Sequence, residues 1–522
     1  MTLKELVDEV DVVRAEGDLG VTISGLCYDS RHARRGEVFF ALPGLRADGG
    51  SFARAAREAG AVAVVAARGA AVPADGSGAQ IEVEDARRAL AQAANRFYAH
   101  PSRGLQVVGV TGTNGKTTIT WMLESIFRAA GREPGVIGTT GVRFKGAERA
   151  QRFTTPEAPD LQGVLREMAD AGVQAVAIEV SSHALAQSWS YGLECDVAVF
   201  TNLSHDHLDY HGTMEAYLDA KLRLFDGRNG SSAKQRFAVV NADDPAAPRV
   251  LAACAAGGVQ ALQVGMEPPG SSRETPLRML LGSVAATSSG LVVRYSVAFV
   301  PSARKESIGD GWRFRSAGEG PFQLPLLGRY NAVNALLAAG AALLLGIDPA
   351  EIVRGLESMP AVPGRLERVR AGQPFPVVVD YAHTPDALER ALGAMREHFS
   401  HRVLLVFGCG GDRDRAKRPV MGGIAARAAD IAWITNDNPR TEDPQAIARE
   451  ILAGAVAPRE PLRLVLDRRA AIDQAIAEAR AGDVVLIAGK GHETTQTIGS
   501  SAQPFDDRVV AAECLKAAGW RP

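Results

Sequence analysis

A chain of 522 residues, 46% hydrophobic and 23% charged, is ordinary for globular protein and has room for roughly two to four domain cores. Its net charge of -2 and pI near 6.6 exclude a general electrostatic pull toward nucleic acid or anionic membrane, so an anionic ligand has to be held by local basic groups. Cys27, Cys195, Cys254, Cys409 and Cys514 are scattered without metal-ligand pairing or an even disulfide framework, which fits a reducing compartment.

The start MTLKELVDEVDVV is acidic and has no apolar signal core. From about 20 to 100, β-type runs (VTISGLCYDS, EVFFAL, AVAVVA, QIEVE) alternate with helical stretches such as FARAAREAG, and AHPSRG ends this small α/β unit, taken as 1–105. A second unit, 106–360, begins at LQVVGV. Its strand candidates PGVIG, AVAIEV, VAVFTNLS and RFAVVNAD are separated by helical segments such as DLQGVLREMADAG. That alternation predicts a doubly wound, mainly parallel sheet with ligands at the carboxyl ends of its strands. Residues 265–320 break the pattern with Gly, Ser, Pro and GLVVRYSVAFV, and are expected to form a β-rich or flexible excursion decorating the surface. A long helix follows GRYNAVN. Its segment 332–347 is the most membrane-like in the chain, but it has 16 residues and carries Asn334, so a buried helix is expected and not a membrane span. Beyond a proline-bounded connection, MPAVPG, a third alternation (FPVVVDYA, RVLLVFGC, DIAWITND, LRLVLD, DVVLIAGKG) predicts a Rossmann-like α/β unit over 361–522, with a helix after each strand. A cytoplasmic protein without membrane insertion or a nucleic-acid partner is expected.

The stretch GVTGTNGKTT (109–118) follows the apolar run LQVV. A glycine-rich turn lets backbone N–H groups close on phosphate oxygens, a helix N-terminus adds partial positive charge, Lys116 neutralises phosphate and Thr117 can ligate Mg²⁺. The general spacing of such loops expects glycine at 110, where Val110 stands. Glu179 in EVSSHAL follows AVAI and should sit at a strand's carboxyl end facing the same crevice, able to hold a cation, unless it is a solvated strand-end carboxylate. TNLSHDHLDYHGTMEAYLDAKLRLF (201–225) puts three histidines and three aspartates in a loop leading into a helix. His205, His207 and His211 suggest zinc, but hard oxygen groups beside a phosphate loop favour Mg²⁺ with one imidazole; a solvated polar loop is the plain alternative.

Together TGTNGKTT, EVSSHAL, SHDHLDYHGTMEAYLDAK, GRYNAVNALLAA, VPGRLE and VDYAHTPDAL resemble the Mur ligase family, ATP-dependent enzymes that extend the peptide of the bacterial peptidoglycan precursor. The motifs run in the family's order over residues 30–493. In that family position 110 carries no glycine, so Val110 is expected. The resemblance implies that Gly112, Thr113, Asn114, Gly115, Lys116, Thr117 and Thr118 hold the phosphates of ATP. It implies that Thr117 and Glu179 serve one Mg²⁺, that His207 serves a second, and that Lys221 is carried as a carbamate metal ligand. A neutral amine that captures CO₂ turns a cation repelling Mg²⁺ into an anion attracting it; without the family context Lys221 would read as an exposed helical lysine. Asn331 is placed near the adenine, with Asn334 a packing or capping amide on the same helix side. Arg365 is placed near the γ-phosphate, Asp380 near the ribose, and His383 in the same cleft.

Further matches point to the third amino-acid-adding step. YDSRHARRGEVFFALPGLRADG resembles a uridine-diphosphate pocket, implying contacts from Tyr28, Ser30, Leu45, Arg46 and Ala47 to a UDP-N-acetylmuramoyl dipeptide; a structural turn at Asp29-Ser30 is the alternative. Thr154, Thr155, Ser181 and Gln187 fit peptide-contact positions. Trp189 stands where these ligases often carry arginine, either touching substrate or merely packed. In TNDNPRTED, Asp437, Asn438, Pro439 and Arg440 match the motif that recognises meso-diaminopimelate, with the planar fork of Arg440 suited to a distal carboxylate that lysine lacks. Arg413, Gly489 and Glu493 match the remaining contacts, Glu493 for the distal ammonium, although Arg413 belongs to a basic loop with Arg415, Lys417 and Arg418 that a solvated surface would also explain. A monomer is expected. The rivals are a Mur ligase adding lysine, a folylpolyglutamate synthase, which would not explain the uridine-pocket stretch, and a silent nucleotide-binding module.

Overall fold

In the computed structural model, which describes all residues except 45–47, 74–77, 235, 266–276, 300–319, 457–461 and 522, most of the short apolar runs of the sequence become inner strands of three sheets. Runs such as VVGV, AVAI and VAVF are apolar at consecutive positions because helices cover both faces of a parallel sheet. Val107, Val108 and Val110 are all 0% exposed.

The first sheet has the order Val12–Glu16, Ala79–Val83, Ala63–Ala67, Glu37–Ala41, Gly25–Cys27, parallel except for its first pair. The edge strand Val12–Glu16 lies in a stretch whose acidic composition gives no strand signal, and its residues are mostly exposed, so pairing with Ala79–Val83 alone creates it. The second sheet is built on six parallel strands in the order Gln260–Gly265, Phe237–Asn241, Val197–Phe200, Gln106–Thr111, Ala175–Glu179, Pro134–Gly138. Ala175–Glu179 and Val197–Phe200 flank Gln106–Thr111, with Glu179 opposite Val110 and Phe200 opposite Thr111. That register sets GTNGKTT, EVSSH and TNLSHDH side by side at one carboxyl edge. The third sheet has the order Glu367–Val369, Val377–Asp380, Val484–Ala488, Val403–Phe407, Ile431–Ile434, Arg463–Leu464, parallel after its first pair.

Two expectations change. The excursion is no surface decoration in its described part: Leu277–Thr287, Gly290–Phe299 and Gly320–Leu324 extend the second sheet. Leu291, Val293, Phe322 and Leu324 are buried in the cluster that holds the helix Tyr330–Leu344, so the alternation in GLVVRYSV records one covered face. Val484–Ala488 is not followed directly by a helix. A hairpin, Thr495–Ile498 with Ser501–Pro504, intervenes before Asp507–Ala517.

The third unit is fastened to the second beside the excursion. His398, at the end of the helix Pro385–His398, accepts the Gly328 N–H through Nε2 at 2.8 Å and donates from Nδ1 to the Thr287 carbonyl at 2.7 Å, next to an Arg329–Glu397 ion pair at 3.4 Å. These bonds require a neutral ring, and burial pushes its pKa below the ordinary 6.5. The unfolded chain therefore binds the extra proton first, so this contribution is complete above about 6.5 and is lost as pH falls from there toward the lowered folded value. Within the third unit, Arg468 and Asp507 form a 2.7 Å ion pair with both side chains 0% exposed, and Arg468 also donates to the Ala488 carbonyl at 3.0 Å.

Removing one partner of a buried pair strands the other. Arg468→Ala should lower the unfolding free energy by about 3–5 kcal/mol in urea titration. Separately, stability followed down from about pH 6.5 should fall more in the parent than in His398→Gln, whose side chain has no proton to gain.

Candidate active site

The strand Gln106–Thr111 hands over to the helix Lys116–Ala129 through four loop residues. Val110 is still inside the strand with its side chain in the core, so the close backbone approaches begin at Gly112 and no glycine is needed at 110. Gly112 has φ +143, and a Cβ there would lie 1.9 Å from Thr201 Oγ1. Gly115 has φ +88, and a Cβ there would lie 2.6 Å from Asn334 Oδ1, so Asn334 packs on the loop. The neighbouring segment braces the turn: Asn202 Oδ1 accepts the Asn114 N–H at 2.9 Å, and Thr201 Oγ1 donates to the Asn114 carbonyl at 2.6 Å. Thr113 Oγ1 lies 3.1 Å from the Tyr217 hydroxyl, and Thr118 is buried in the first helical turn.

Two lysines converge on this loop. Lys116 Nζ donates to the carbonyls of Gly112 at 2.9 Å and Thr113 at 2.8 Å, and Lys221 Nζ donates to Gly112 O at 2.8 Å. Lys221 is 1% exposed and lies 4.3 Å over the Tyr217 ring, which excludes the exposed-lysine reading. Desolvation, and then the Lys116 charge, push its pKa well below the lysine range, which shifts the amine toward its neutral form.

Glu179 is 1% exposed. Its Oε1 accepts the Thr139 N–H at 2.8 Å and its Oε2 accepts from Thr117 Oγ1 at 3.1 Å, placing a carboxylate and a hydroxyl together at the phosphate loop. His207 has φ +54 and its Nε2 lies 3.5 Å from Asp206 Oδ2. Desolvation leads in pushing it down to about 4, leaving a neutral ring able to face a cation. Among the described residues no three His, Cys, Asp or Glu side chains converge as a cage. The donor set, one carboxylate and one hydroxyl beside a phosphate cradle, fits Mg²⁺, which takes few protein oxygens and completes its shell with phosphate and water.

The third unit supplies the opposite wall of a cleft of about 520 Å³. Arg365 Nη2 donates to Thr117 Oγ1 at 3.3 Å, with its guanidinium 4.7 Å over the Tyr381 ring. Asp380 accepts the N–H groups of Leu366 at 2.7 Å and Ala382 at 2.8 Å, and burial pushes its carboxyl pKa up. His383 lines the cleft, its ring 2.9 Å from the Tyr381 carbonyl. Asn331 lines it too, held by the Leu327 carbonyl at 2.7 Å and by the Asn334 amide at 2.9 Å. Sequence reasoning missed Asp386, which accepts from Asn114 Nδ2 across the cleft at 3.0 Å; its place at the N-terminus of a helix in VDYAHTPDAL was the available signal.

At the carboxyl edge of the third sheet, Asp437, Asn438, Pro439 and Arg440 face the segments carrying Gly489 and Glu493. A Cβ at Gly489 (φ +115) would lie 2.5 Å from Asp437 Oδ2, and Asn438 Nδ2 donates to Glu493 Oε2 at 2.8 Å. Arg440 (φ +51) donates to the Gly411 carbonyl at 2.6 Å. A Cβ at Gly410 would lie 3.1 Å from Arg440 Nη1 and 3.9 Å from Arg413 Cγ, so the two arginines flank one glycine. The basic loop divides: Arg418 is 0% exposed and paired with Glu442 and Glu450, Arg415 pairs with Glu450, and Lys417 donates to the His383 carbonyl at 2.8 Å, while Arg413 is exposed and has no ion pair among the described residues.

At the other end, the Tyr28 hydroxyl donates to Asp160 Oδ2 at 2.7 Å across the first two units, and Ser30 starts a short 3₁₀ turn capped by Asp29. Leu45, Arg46 and Ala47 lie outside the described residues. Thr154 Oγ1 is 3.1 Å from Thr139 Oγ1 at the cleft wall. Thr155 is 0% exposed, donates to the Glu179 carbonyl at 2.8 Å and accepts the Ser181 N–H at 2.9 Å, so its hydroxyl also supports Ser181. Ser181 caps the helix Ser182–Ala186, and Gln187 ends it. Trp189 is 8% exposed and packs on Phe153 with ring centroids 5.1 Å apart.

Comparison with known proteins gives three matches along the chain: the Mur ligase family catalytic domain over residues 22–98, the Mur ligase middle domain over 110–342, and the Mur ligase glutamate ligase domain over 364–491. UDP-N-acetylmuramoyl-L-alanyl-D-glutamate–2,6-diaminopimelate ligase of Solibacter usitatus is 43% identical over 522 residues, covering 100% of this chain and 99% of its own. The enzyme of the same name from Geobacter metallireducens is 42% identical, covering 99% and 98%. A solved structure of a ligase of that name superposes with a TM-score of 0.68 at 30% identity, covering 99% of both chains.

Gly112→Ala should displace Thr201 and the loop; nucleotide titration should show affinity reduced at least about tenfold with the fold retained.

Proposed function

Because the chain belongs to the Mur ligase family, we propose that it joins meso-2,6-diaminopimelate to UDP-N-acetylmuramoyl-L-alanyl-D-glutamate at the expense of ATP, in peptidoglycan precursor synthesis. The observation that carries the choice of amino acid is the pairing of Arg440 and Arg413 around Gly410, with Glu493 on the facing segment: a cationic fork and a carboxylate suit an amino acid whose far end bears both a carboxylate and an ammonium. Lysine offers only the ammonium.

The three sheets suggest three units, 1–105 for the nucleotide-sugar, 106–360 for ATP and 361–522 for the incoming amino acid. The γ-carboxylate oxygen of D-glutamate attacks the γ-phosphorus of ATP, the bond to the ADP oxygen breaks, and an acyl phosphate forms. The diaminopimelate amine, having shed a proton, then attacks the acyl carbon, and the carbon–oxygen bond breaks to release phosphate. Lys116 and Arg365 face the transferred group from opposite walls and offset its charge. Gly112 to Thr118 wrap the phosphates, Asn331 lies toward the base and Asp380 toward the ribose. Tyr28 and Ser30, with Leu45 to Ala47, belong to the uridine end, and Thr154, Ser181, Gln187 and Trp189 to the peptide end. Thr155 belongs to the same end and also supports Ser181. Thr117 and Glu179, with His207 and a carbamate on Lys221, would hold Mg²⁺, which when bound offsets phosphate charge. The burial of Lys221, which lowers the pKa of its amine, supports carbamate formation: nitrogen bonds to CO₂ carbon and one proton leaves. We take the working form to be a cytoplasmic monomer; among the described residues no helix is long and apolar enough to cross a membrane.

Arg440→Ala should raise the KM for diaminopimelate at least about tenfold, the worth of a charged hydrogen-bonded contact, with KM for ATP within about twofold. In an amino-acid panel assay the parent should use diaminopimelate and not lysine, and equal turnover of both would refute the assignment. Lys221→Ala should abolish ligation and regain part of it with a short carboxylic acid; full activity without the acid would exclude the carbamate.

A further inference from the structure

Lys490 lies in the AGKGHE segment between Gly489 and Glu493, and its side chain is 0% exposed. All three of its donors are engaged: Thr495 O at 2.7 Å, Glu493 Oε2 at 3.2 Å and Asn438 Oδ1 at 3.3 Å. Asn438 Nδ2 in turn donates to the same Glu493 Oε2 at 2.8 Å, and its Oδ1 also accepts the Thr497 N–H at 2.9 Å. The ammonium, the amide and the carboxylate thus form a closed triangle on one oxygen of Glu493. The other oxygen, Oε1, makes no hydrogen bond among the described residues.

The triangle also ties three backbone segments together. The hairpin that begins at Thr495 accepts the Arg440 N–H at Thr497 O, 3.1 Å, and donates the Gly499 N–H to Arg440 O at 2.7 Å, which holds Arg440 in its left-handed conformation. Gln496 Nε2 donates to the Asp437 carbonyl at 2.9 Å. A carboxylate on a short loop would otherwise sample several rotamers, and a buried cation with no donor to spare is a stiff partner for it.

We infer that Lys490 is a positioning residue for amino-acid selection: by engaging Glu493 Oε2 together with Asn438, it presents Glu493 Oε1 to the ammonium at the far end of the incoming amino acid. This rests on the function proposed above. The step is purely one of recognition, so the acyl-transfer chemistry and the ATP site are untouched. Glu493 discriminates by the far ammonium, just as Arg440 discriminates by the far carboxylate, and without Lys490 the first criterion is lost while the second stands.

The test compares diaminopimelate with 2-aminopimelate, which keeps the distal carboxylate and lacks the distal ammonium, in the full-length protein with ATP and the nucleotide dipeptide. The parent should prefer diaminopimelate, and Lys490→Met should reduce the kcat/KM ratio of the two at least about tenfold while KM for ATP stays within about twofold. Glu493→Gln should lose the same preference, and the double variant should lose no more than either single one, because the two residues act as a unit. A ratio unchanged in Lys490→Met, or both substrates falling together, overturns the inference and leaves the proposed function standing. A parent that uses neither substrate overturns the proposed function itself. Should Lys490→Met fail to fold, Lys490→Gln, which keeps a donor, takes its place; if that also unfolds, Lys490 is structural only and the inference fails.

Discussion

Two lysine amines point at one carbonyl oxygen, that of Gly112, and the organisation of the cleft follows from that convergence. Neither Lys116 nor Lys221 has an ion-pair partner among the described residues, and like charges withdrawn from water repel by several kcal/mol at the effective dielectric of a protein, as an order of magnitude. The site can relieve this by receiving phosphate or by discharging Lys221. Burial favours the second route, since desolvation leads the fall in the Lys221 pKa. The absence of side chains at 112 and 115 lets the loop backbone come close to Thr201 and Asn334.

The cleft has two walls because its chemistry is divided between two sheets whose carboxyl edges meet. Register in the second sheet puts Glu179 and the Thr201 segment beside the phosphate loop, whereas Arg365, Asp380 and Asp386 come from the third unit and reach across to Thr117 and Asn114. The excursion beyond residue 276 enters this arrangement through Thr287, whose carbonyl accepts from His398. A segment with little chemistry of its own thus helps to fix the wall that completes the site.

Legibility in the sequence followed the range of the interaction. Short continuous apolar runs mark parallel strands because burial on both faces needs no knowledge of partners, and runs such as VVGV, AVAI, VAVF and VVLIA became inner strands. The edge strand Val12–Glu16 and the hairpin at Thr495 have mixed or exposed faces, so pairing decides them and composition does not. Among the site residues, Lys116, Glu179, Lys221 and Arg440 stand in motifs that keep their spacing. Asp386 and Lys490 lie inside quoted motifs, yet only their partners from distant segments reveal what they hold.

The sequence by itself determined the α/β alternation, the phosphate loop and the family, since each rests on short motifs or runs whose residues are close together, even where the motifs themselves are spread along the chain. Only the tertiary structure separated Arg413 from Arg415, Lys417 and Arg418, which share a loop and differ in where their charges are met. It alone showed that Thr155 supports Ser181, and it explained Val110 as the last stretch of a strand. The physical reason is common to all three: residue type fixes what a side chain can offer, and burial and partners contributed by other segments fix whether that offer is already taken.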